Sequence, residues 1–338
     1  MSPLEYYPWQ LATAQQWLQD TQRFAHAWLL HGTPGIGKVQ FAKAGAAALL
    51  CEQPHAGQAC GQCTSCQWVR SGNHPDLRWI RPETYQLDED PESISTKSPS
   101  KHIRIEQLRT LSDWFHTATH RGGVRVAGLY PAESLNHVSA NALLKILEEP
   151  MANTVFLLVS HNYQALLPTI ISRCRRLPLL SPSTDQGLAW LSTQQLEQPE
   201  NWLAAAGGAP LAAWQLYRAQ EQPYPLWLGQ LAERLAQGQP KAIIALADQL
   251  EKEPTARWLD TLQRFYVDLQ FCAQKLAPRY YPGLTQAYAQ LSPHLTLAVI
   301  QQQWKWLAAQ KKQAEHPLNA KLLIHTALER IAQHRFSS

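Results

Sequence analysis

No apolar run in this 338-residue sequence approaches the roughly 20 residues that a membrane-spanning helix needs; the longest, such as Val155–Val159, stop far short. No block of Lys or Arg appears either. Thirty basic residues against 26 acidic ones leave a net charge of +4, so a strong, charge-driven grip on nucleic acid by this chain alone is not expected. The start, Met1 to Gln10, lacks a basic segment followed by an apolar stretch, so no signal peptide is expected and the cytosol is the expected compartment. No fixed-period repeat is present, which excludes a solenoid. Charged residues make up only 17%, but 45% of the chain is apolar, which excludes a disordered protein and fits two or three globular domains. The 13 Trp, with Ala, Leu and Gln abundant in the second half, point to helices packed through large rigid side chains. In a cytosolic chain the six Cys do not read as a disulfide set.

The first half alternates short apolar strands with helical patterns. Ala27–Leu30 reads as a buried strand running into a Gly-rich turn, His31–Gly37, and a helix follows over Lys38–Leu50. Leu77–Ile80, Val124–Leu129 and Val155–Val159 read as further strands. Strands separated by helices need crossover connections, which predicts a parallel sheet covered on both faces. The stretch Arg81–Ser100, acidic and rich in Ser and Pro, reads as an exposed loop. Asn136–Glu149 is the clearest helix: Ala140, Leu143, Leu144 and Leu147 share one face, and Pro150 stops it. After Leu180 the strand signals fade. Ser181-Pro182-Ser183 marks a boundary, a small helical unit extends to about Glu221, and Pro223-Tyr224-Pro225 opens a helical region. Its predicted helices are Leu226–Gln237, Lys241–Glu251, Ala256–Leu276, Leu295–Lys311 and Leu318–His334.

Gly32-Thr33-Pro34-Gly35-Ile36-Gly37-Lys38 sits between strand and helix, the setting in which a phosphate-binding loop has meaning. Gly32, Gly35 and Gly37 let backbone N–H groups curve around a phosphate, the helix N-terminus adds a favourable field, and Lys38 would reach the outer phosphates. Two partners of a working loop are missing. Position 39 is Val, with no hydroxyl for the Mg²⁺ that bridges the phosphates. The strand Val124–Leu129 runs into Tyr130-Pro131-Ala132-Glu133, where motor ATPases place Asp and usually Glu to organise metal and water. Metal ions carry much of the charge stabilisation in phosphoryl transfer, so ATP/Mg²⁺ hydrolysis is not expected here. Weak nucleotide binding stays open.

Cys51 and Cys60-x-x-Cys63-x-x-Cys66 supply four thiolates over a short loop. That spacing suits a tetrahedral, structural Zn²⁺ with no open position for water. A redox pair from Cys60 and Cys63 is the weaker reading, and His55 and His74 are not needed as ligands. Thr169-Ile170-Ile171-Ser172-Arg173-Cys174 follows the strand at Val155–Val159. An arginine at a domain rim is usually solvated or ion-paired, but in ring-forming ATPases one near this place reaches the neighbour's γ-phosphate. Its planar donors match phosphate oxygens and its charge is permanent.

Together these segments resemble the AAA+ clamp-loader family, and within it the delta-prime subunits of bacterial DNA polymerase III. The resemblance is carried by His26–Gly32, the four Cys, Gly72-Asn73-His74-Pro75-Asp76, Ser139–Pro150 and Thr169–Cys174, with a softer match at Lys321–Ile324. It implies a fold of mixed α/β and all-α character. An AAA+ nucleotide-binding-like domain over 1–180 would carry the zinc module at 51–66, followed by a helical lid over 181–222 and a C-terminal helical collar over 223–338. It implies a stator beside tau/gamma and delta subunits in a hetero-oligomer that loads the beta sliding clamp onto primed DNA. Arg173 would be the trans arginine finger, with Ser172 and Cys174 shaping its turn; Cys51, Cys60, Cys63 and Cys66 would bind zinc. Gly207–Ala212 resembles the lid segment in which motors place a nucleotide-sensing arginine, and Leu211 and Ala212 lack one. The rival readings are an active motor subunit of the same machine and a zinc-containing DNA-binding module. A stand-alone kinase has no acceptor-site motif to support it.

Overall fold

The computed structural model describes residues 2–19, 24–90, 98–115, 117–120, 123–219, 222–313 and 320–334. The chain divides into two compact units, Met1–Pro182 and Ser183–Ser338.

In the first unit, helix α1 (Leu11–Trp17) precedes strand β1 (Ala27–His31), and α2 (Lys38–Leu50) follows the Gly-rich turn. Then come α3 (Thr64–Arg70), β2 (Leu77–Ile80), α4 (Glu83–Glu89), α5 (Ile105–Phe115), β3 (Arg125–Leu129), α6 (His137–Glu148), β4 (Thr154–Ser160), α7 (Pro168–Arg173) and β5 (Arg175–Pro178). The five strands form one parallel sheet in the order β2-β3-β4-β1-β5, with Leu29 opposite Leu158 at its centre. Every residue of β3 and β4 is buried. Their near-continuous apolar runs are what a sheet covered on both faces demands. Leu29, Phe156 and Leu158 share a core with α5, α6 and α7. Toward the other helices, Trp17 of α1 meets both Trp28 of β1 and Phe41 of α2, with ring centroids 5.7 and 5.3 Å apart.

The expected parallel sheet is present, and β1 with α2 lies where the pattern put it. Strand β5 is new. It pairs with β1 at the sheet edge, where Arg175 and Arg176 are exposed, so it carries no apolar signature. The stretch read as a loop holds helix α4, anchored by the Thr84 N–H donating to the Ser100 carbonyl at 3.2 Å; 91–97 lie outside the described residues. Helix α6 follows its expectation. The Asn136 side chain caps it by accepting from the Ser139 N–H at 2.8 Å, a contact that contributes about 1 kcal/mol.

The described residues of the second unit form helices joined by short turns, with no strand among them. Helices α8 (Thr184–Thr193), α9 (Pro199–Ala205) and α10 (Pro210–Ala219) enclose a small core of Leu191, Trp202, Leu203 and Ala213. A larger core gathers α11 (Leu226–Gln237), α12 (Pro240–Ile244), α13 (Ala247–Leu250), α14 (Thr255–Ala273), α15 (Thr285–Leu291), α16 (Leu297–Gln313) and α17 (Ala320–His334) around Trp258, Phe265 and Tyr288. The segment read as one helix over Lys241–Glu251 is broken into α12 and α13. The expected ends at Glu221 and Leu318 lie outside the described residues. Asp268 is fully buried and accepts from the backbone N–H groups of Arg279, Tyr280 and Tyr281 at 2.7, 2.9 and 2.7 Å. Burial still pushes its carboxyl above the usual range.

Candidate functional site

The phosphate-binding loop is turned inward on itself. Lys38, 3% exposed, donates through Nζ to the carbonyls of Gly32 and Thr33 at 2.8 and 2.7 Å. Its amine therefore satisfies the loop's own acceptors. Burial lowers its pKa to about 8, with the Glu133 carboxylate pulling the other way. The same burial, together with Lys38, depresses His161. Glu133 accepts from the His161 N–H at 2.9 Å through one oxygen; its other carboxylate oxygen is buried without a hydrogen-bond partner.

A brace from the N-terminal segment fixes the loop. Gln10 donates to the Ile36 and Gly37 carbonyls, both at 3.0 Å, and Trp9 Nε1 donates to Ile36 at 3.1 Å. Gly37 has φ +85°, and a Cβ there would lie 2.5 Å from the Tyr7 ring. Only glycine fits both the left-handed backbone and the ring. Sequence reading missed Tyr7 and Gln10, because no local motif marks a polar brace 26 residues from its target.

At the end of β3, the place of the absent carboxylate is filled. Tyr130 is 2% exposed, and its hydroxyl donates to Glu89 at 2.8 Å. Glu89 also pairs with Lys43 and Arg81, each at 2.8 Å. Although burial opposes it, these donors hold the Glu89 carboxyl below its usual range. Lys43 lies 5.5 Å from the Tyr130 ring centroid. Residues of α2, α4 and β3 are thus locked together beside the loop helix, and Val39 adds no oxygen. In the second unit, Gly207 and Gly208 turn at φ +66° and +84° into α10, whose half-buried Leu211 and Ala212 carry no charge.

Arg173 is the last residue of α7. Its side chain remains 34% exposed. One amino group donates to the Thr169 carbonyl at 2.9 Å and the other to Glu148 Oε1. Ser172 donates to the same Thr169 carbonyl at 3.0 Å. Cys174 and Ile170 are buried in the core beneath, and burial pushes the Cys174 thiol up to about 12. The triplet divides accordingly: Ser172 and Cys174 fix the helix end, and Arg173 stays at the surface.

The four expected cysteines converge. Their Sγ atoms all lie within 4.8 Å of one another; Cys51 and Cys63 are 3.9 Å apart, Cys60 and Cys66 3.9 Å, and Cys51 and Cys66 3.6 Å. A tetrahedron with metal–sulfur bonds of about 2.3 Å has edges near 3.8 Å, so this donor set can hold a metal ion. Backbone N–H groups of Cys60, Cys63 and Cys66 point at the sulfurs of Cys51, Cys60 and Cys63. Those of Gln62 and Cys63 pull the Cys60 thiol down to about 6. Burial raises Cys51 and Cys66. His74 is not a ligand: its Nδ1 accepts from the Asp76 N–H at 3.1 Å and its Nε2 meets the Ser65 hydroxyl at 2.8 Å.

No helix among the described residues is long and apolar enough to cross a membrane. Residues 10–183 match the family described as "DNA polymerase III, delta subunit". DNA polymerase III subunit delta' of Pseudomonas aeruginosa is 41% identical over 217 residues, 63% of this chain and 62% of that protein, a little under two thirds of its length. The corresponding subunit of Yersinia pestis is 34% identical over 78% of this chain and 76% of its own. In Escherichia coli the figures are 29%, 88% and 86%. With the family match spanning more than half of its length, and a delta' relative 34% identical over 78% of it, this chain belongs to the DNA polymerase III delta' family.

Proposed function

We propose that this chain is the stator subunit of a bacterial clamp loader, contributing Arg173 in trans to a neighbour's ATP site while hydrolysing no ATP itself. The observation that carries the reading is the contrast between two cations of one domain. Lys38 is buried on its own loop carbonyls, whereas the Arg173 side chain is partly exposed to solvent.

Phosphoryl transfer builds charge on the equatorial oxygens of the γ-phosphate. A guanidinium aimed there stabilises the transition state by about 4–7 kcal/mol. Arg173 can supply that charge without a proton-transfer step, because it stays protonated at any working pH. Hydrolysis by this chain's own site lacks support at three positions: Val39, Tyr130 and the Leu211-Ala212 pair. In this reading residues 1–180 form the AAA+ domain, 181–222 the lid and 223–338 the collar. The partners are tau/gamma and delta, with the beta clamp and primed DNA met through the assembly, in the cytoplasm. The ion at Cys51, Cys60, Cys63 and Cys66 is Zn²⁺, a structural staple between the end of α2 and the start of α3.

Reconstitution with tau/gamma and delta subunits, followed by DNA-stimulated ATPase and clamp-loading assays, tests the proposal. Negligible ATPase from the isolated chain and a clear loss in the Arg173→Ala assembly are expected. Full activity in that assembly would remove the finger assignment, and Mg²⁺-dependent turnover by the isolated chain would favour the motor-subunit reading.

A further inference from the structure

We infer that Glu148 is a positioning residue for Arg173, so that this acidic side chain of the same subunit sets the efficiency with which the arginine acts on a neighbour. The inference rests on the Arg173 reading above and adds a second residue to it.

Glu148 closes α6 and Arg173 closes α7, and these helices are tied through a shared core of Leu143, Leu147 and Ile170. Their backs are fixed, so their ends hold a set separation. An arginine on a rim would ordinarily sample many rotamers and lose that freedom when ordered. Here two of its donors are already engaged, one by the Thr169 carbonyl within α7 and one by Glu148 across the helix gap. The first contact limits how far the side chain can swing from its own helix. The second fixes the azimuth of the guanidinium plane. Its remaining donors meet no acceptor among the described residues, and those are the ones available to a phosphate.

Helix stability alone does not account for Glu148. A carboxylate on the last residue of a helix lies at the negative end of the macrodipole, which disfavours it. Its evident partner is Arg173. With side chains 34% and 48% exposed, the pair is weak enough to yield part of its charge to an incoming anion. A buried pair of the same geometry would hold the arginine back.

The experiment measures steady-state ATP hydrolysis by the reconstituted assembly with Mg²⁺ and primed DNA, comparing Glu148→Ala, Glu148→Gln, Arg173→Ala and the double variant Glu148→Ala/Arg173→Ala. Expected is a kcat about two- to fivefold lower for Glu148→Ala, the scale of one exposed ion pair, with KM for ATP and assembly unchanged. Glu148→Gln keeps an acceptor in place and should restore most of the rate. Adding Glu148→Ala to Arg173→Ala should cost nothing more. The inference is overturned if Glu148→Ala matches or exceeds the unsubstituted assembly while Arg173→Ala is impaired, if the glutamine fails as badly as the alanine, or if the double variant is slower than Arg173→Ala alone. An unimpaired Arg173→Ala assembly would instead overturn the finger reading itself.

Discussion

Lys38 and Arg173 belong to the same domain and carry the same formal charge, yet the fold treats them in opposite ways. Lys38 is 3% exposed, and its amine is held by carbonyls of its own loop. Arg173 is anchored at two of its donors and left open at the others. In the proposed reading, the Gly-rich loop persists as sequence while its lysine serves as a structural strut. In the same reading, Arg173 keeps a chemical use because its surroundings orient it without burying it.

The comparison breaks most sharply at Arg173. Arg173→Ala should reduce turnover at the ATP site it completes by roughly 10³-fold or more, read as DNA-stimulated ATPase of the assembly. The free chain should keep its thermal midpoint, since the pair it loses is exposed. Stripping the metal by a chelator, or substituting Cys63→Ala, comes next. Metal analysis should fall from about one ion per chain toward zero, with a thermal midpoint lower by about 5 °C or more; a midpoint unmoved by chelation would mean the four sulfurs hold nothing.

Acid–base behaviour sharpens the account of Lys38. Its pKa is lowered to about 8 in the folded chain against 10.5 for an ordinary lysine. Between those values the unfolded chain binds more protons, so stability rises with pH across the window and is flat below about 8. The gain should reach roughly 2–3 kcal/mol relative to Lys38→Met, measured by denaturant unfolding at pH 8 and pH 10. Parallel curves for the two proteins would mean that the amine is not buried as described. The smallest effect should be that of Lys38→Met on the assembled ATPase, within about twofold of the unsubstituted assembly because a retired lysine touches no phosphate. A large loss there would collapse the contrast.

Local signals wrote most of the first domain. Strand β1, the loop and α2 were legible because apolar run, glycines and alanine-rich helix follow in order. The four cysteines were legible because metal ligands need close spacing. Strand β5 was hidden because Arg175-Arg176-Leu177-Pro178 is an edge strand, with charges on its open side and a proline that no second ladder must accommodate. Helix α4 was hidden for a related reason: no residue of Glu83–Glu89 is fully buried, so no apolar stripe marks it. At the site, position 130 was read correctly as lacking a carboxylate, but what replaced it was not readable. Glu89 lies 41 residues from Tyr130, and Glu148 lies 25 from Arg173. Such pairs are created by the packing of helices and carry no local pattern.

The network around Tyr130 bears on reversion. An aspartate placed at position 130 would bring its charge beside Glu89, which already holds Lys43 and Arg81. It would also leave a void where the tyrosine ring now packs edge-on against Trp79. Restoring the hydroxyl at Val39 would not relieve either problem. A carboxylate at this position is not reached by one favourable step, because the place belongs to an interlocked structural unit. Under the stator reading proposed above, the chain is held to that part by its own packing.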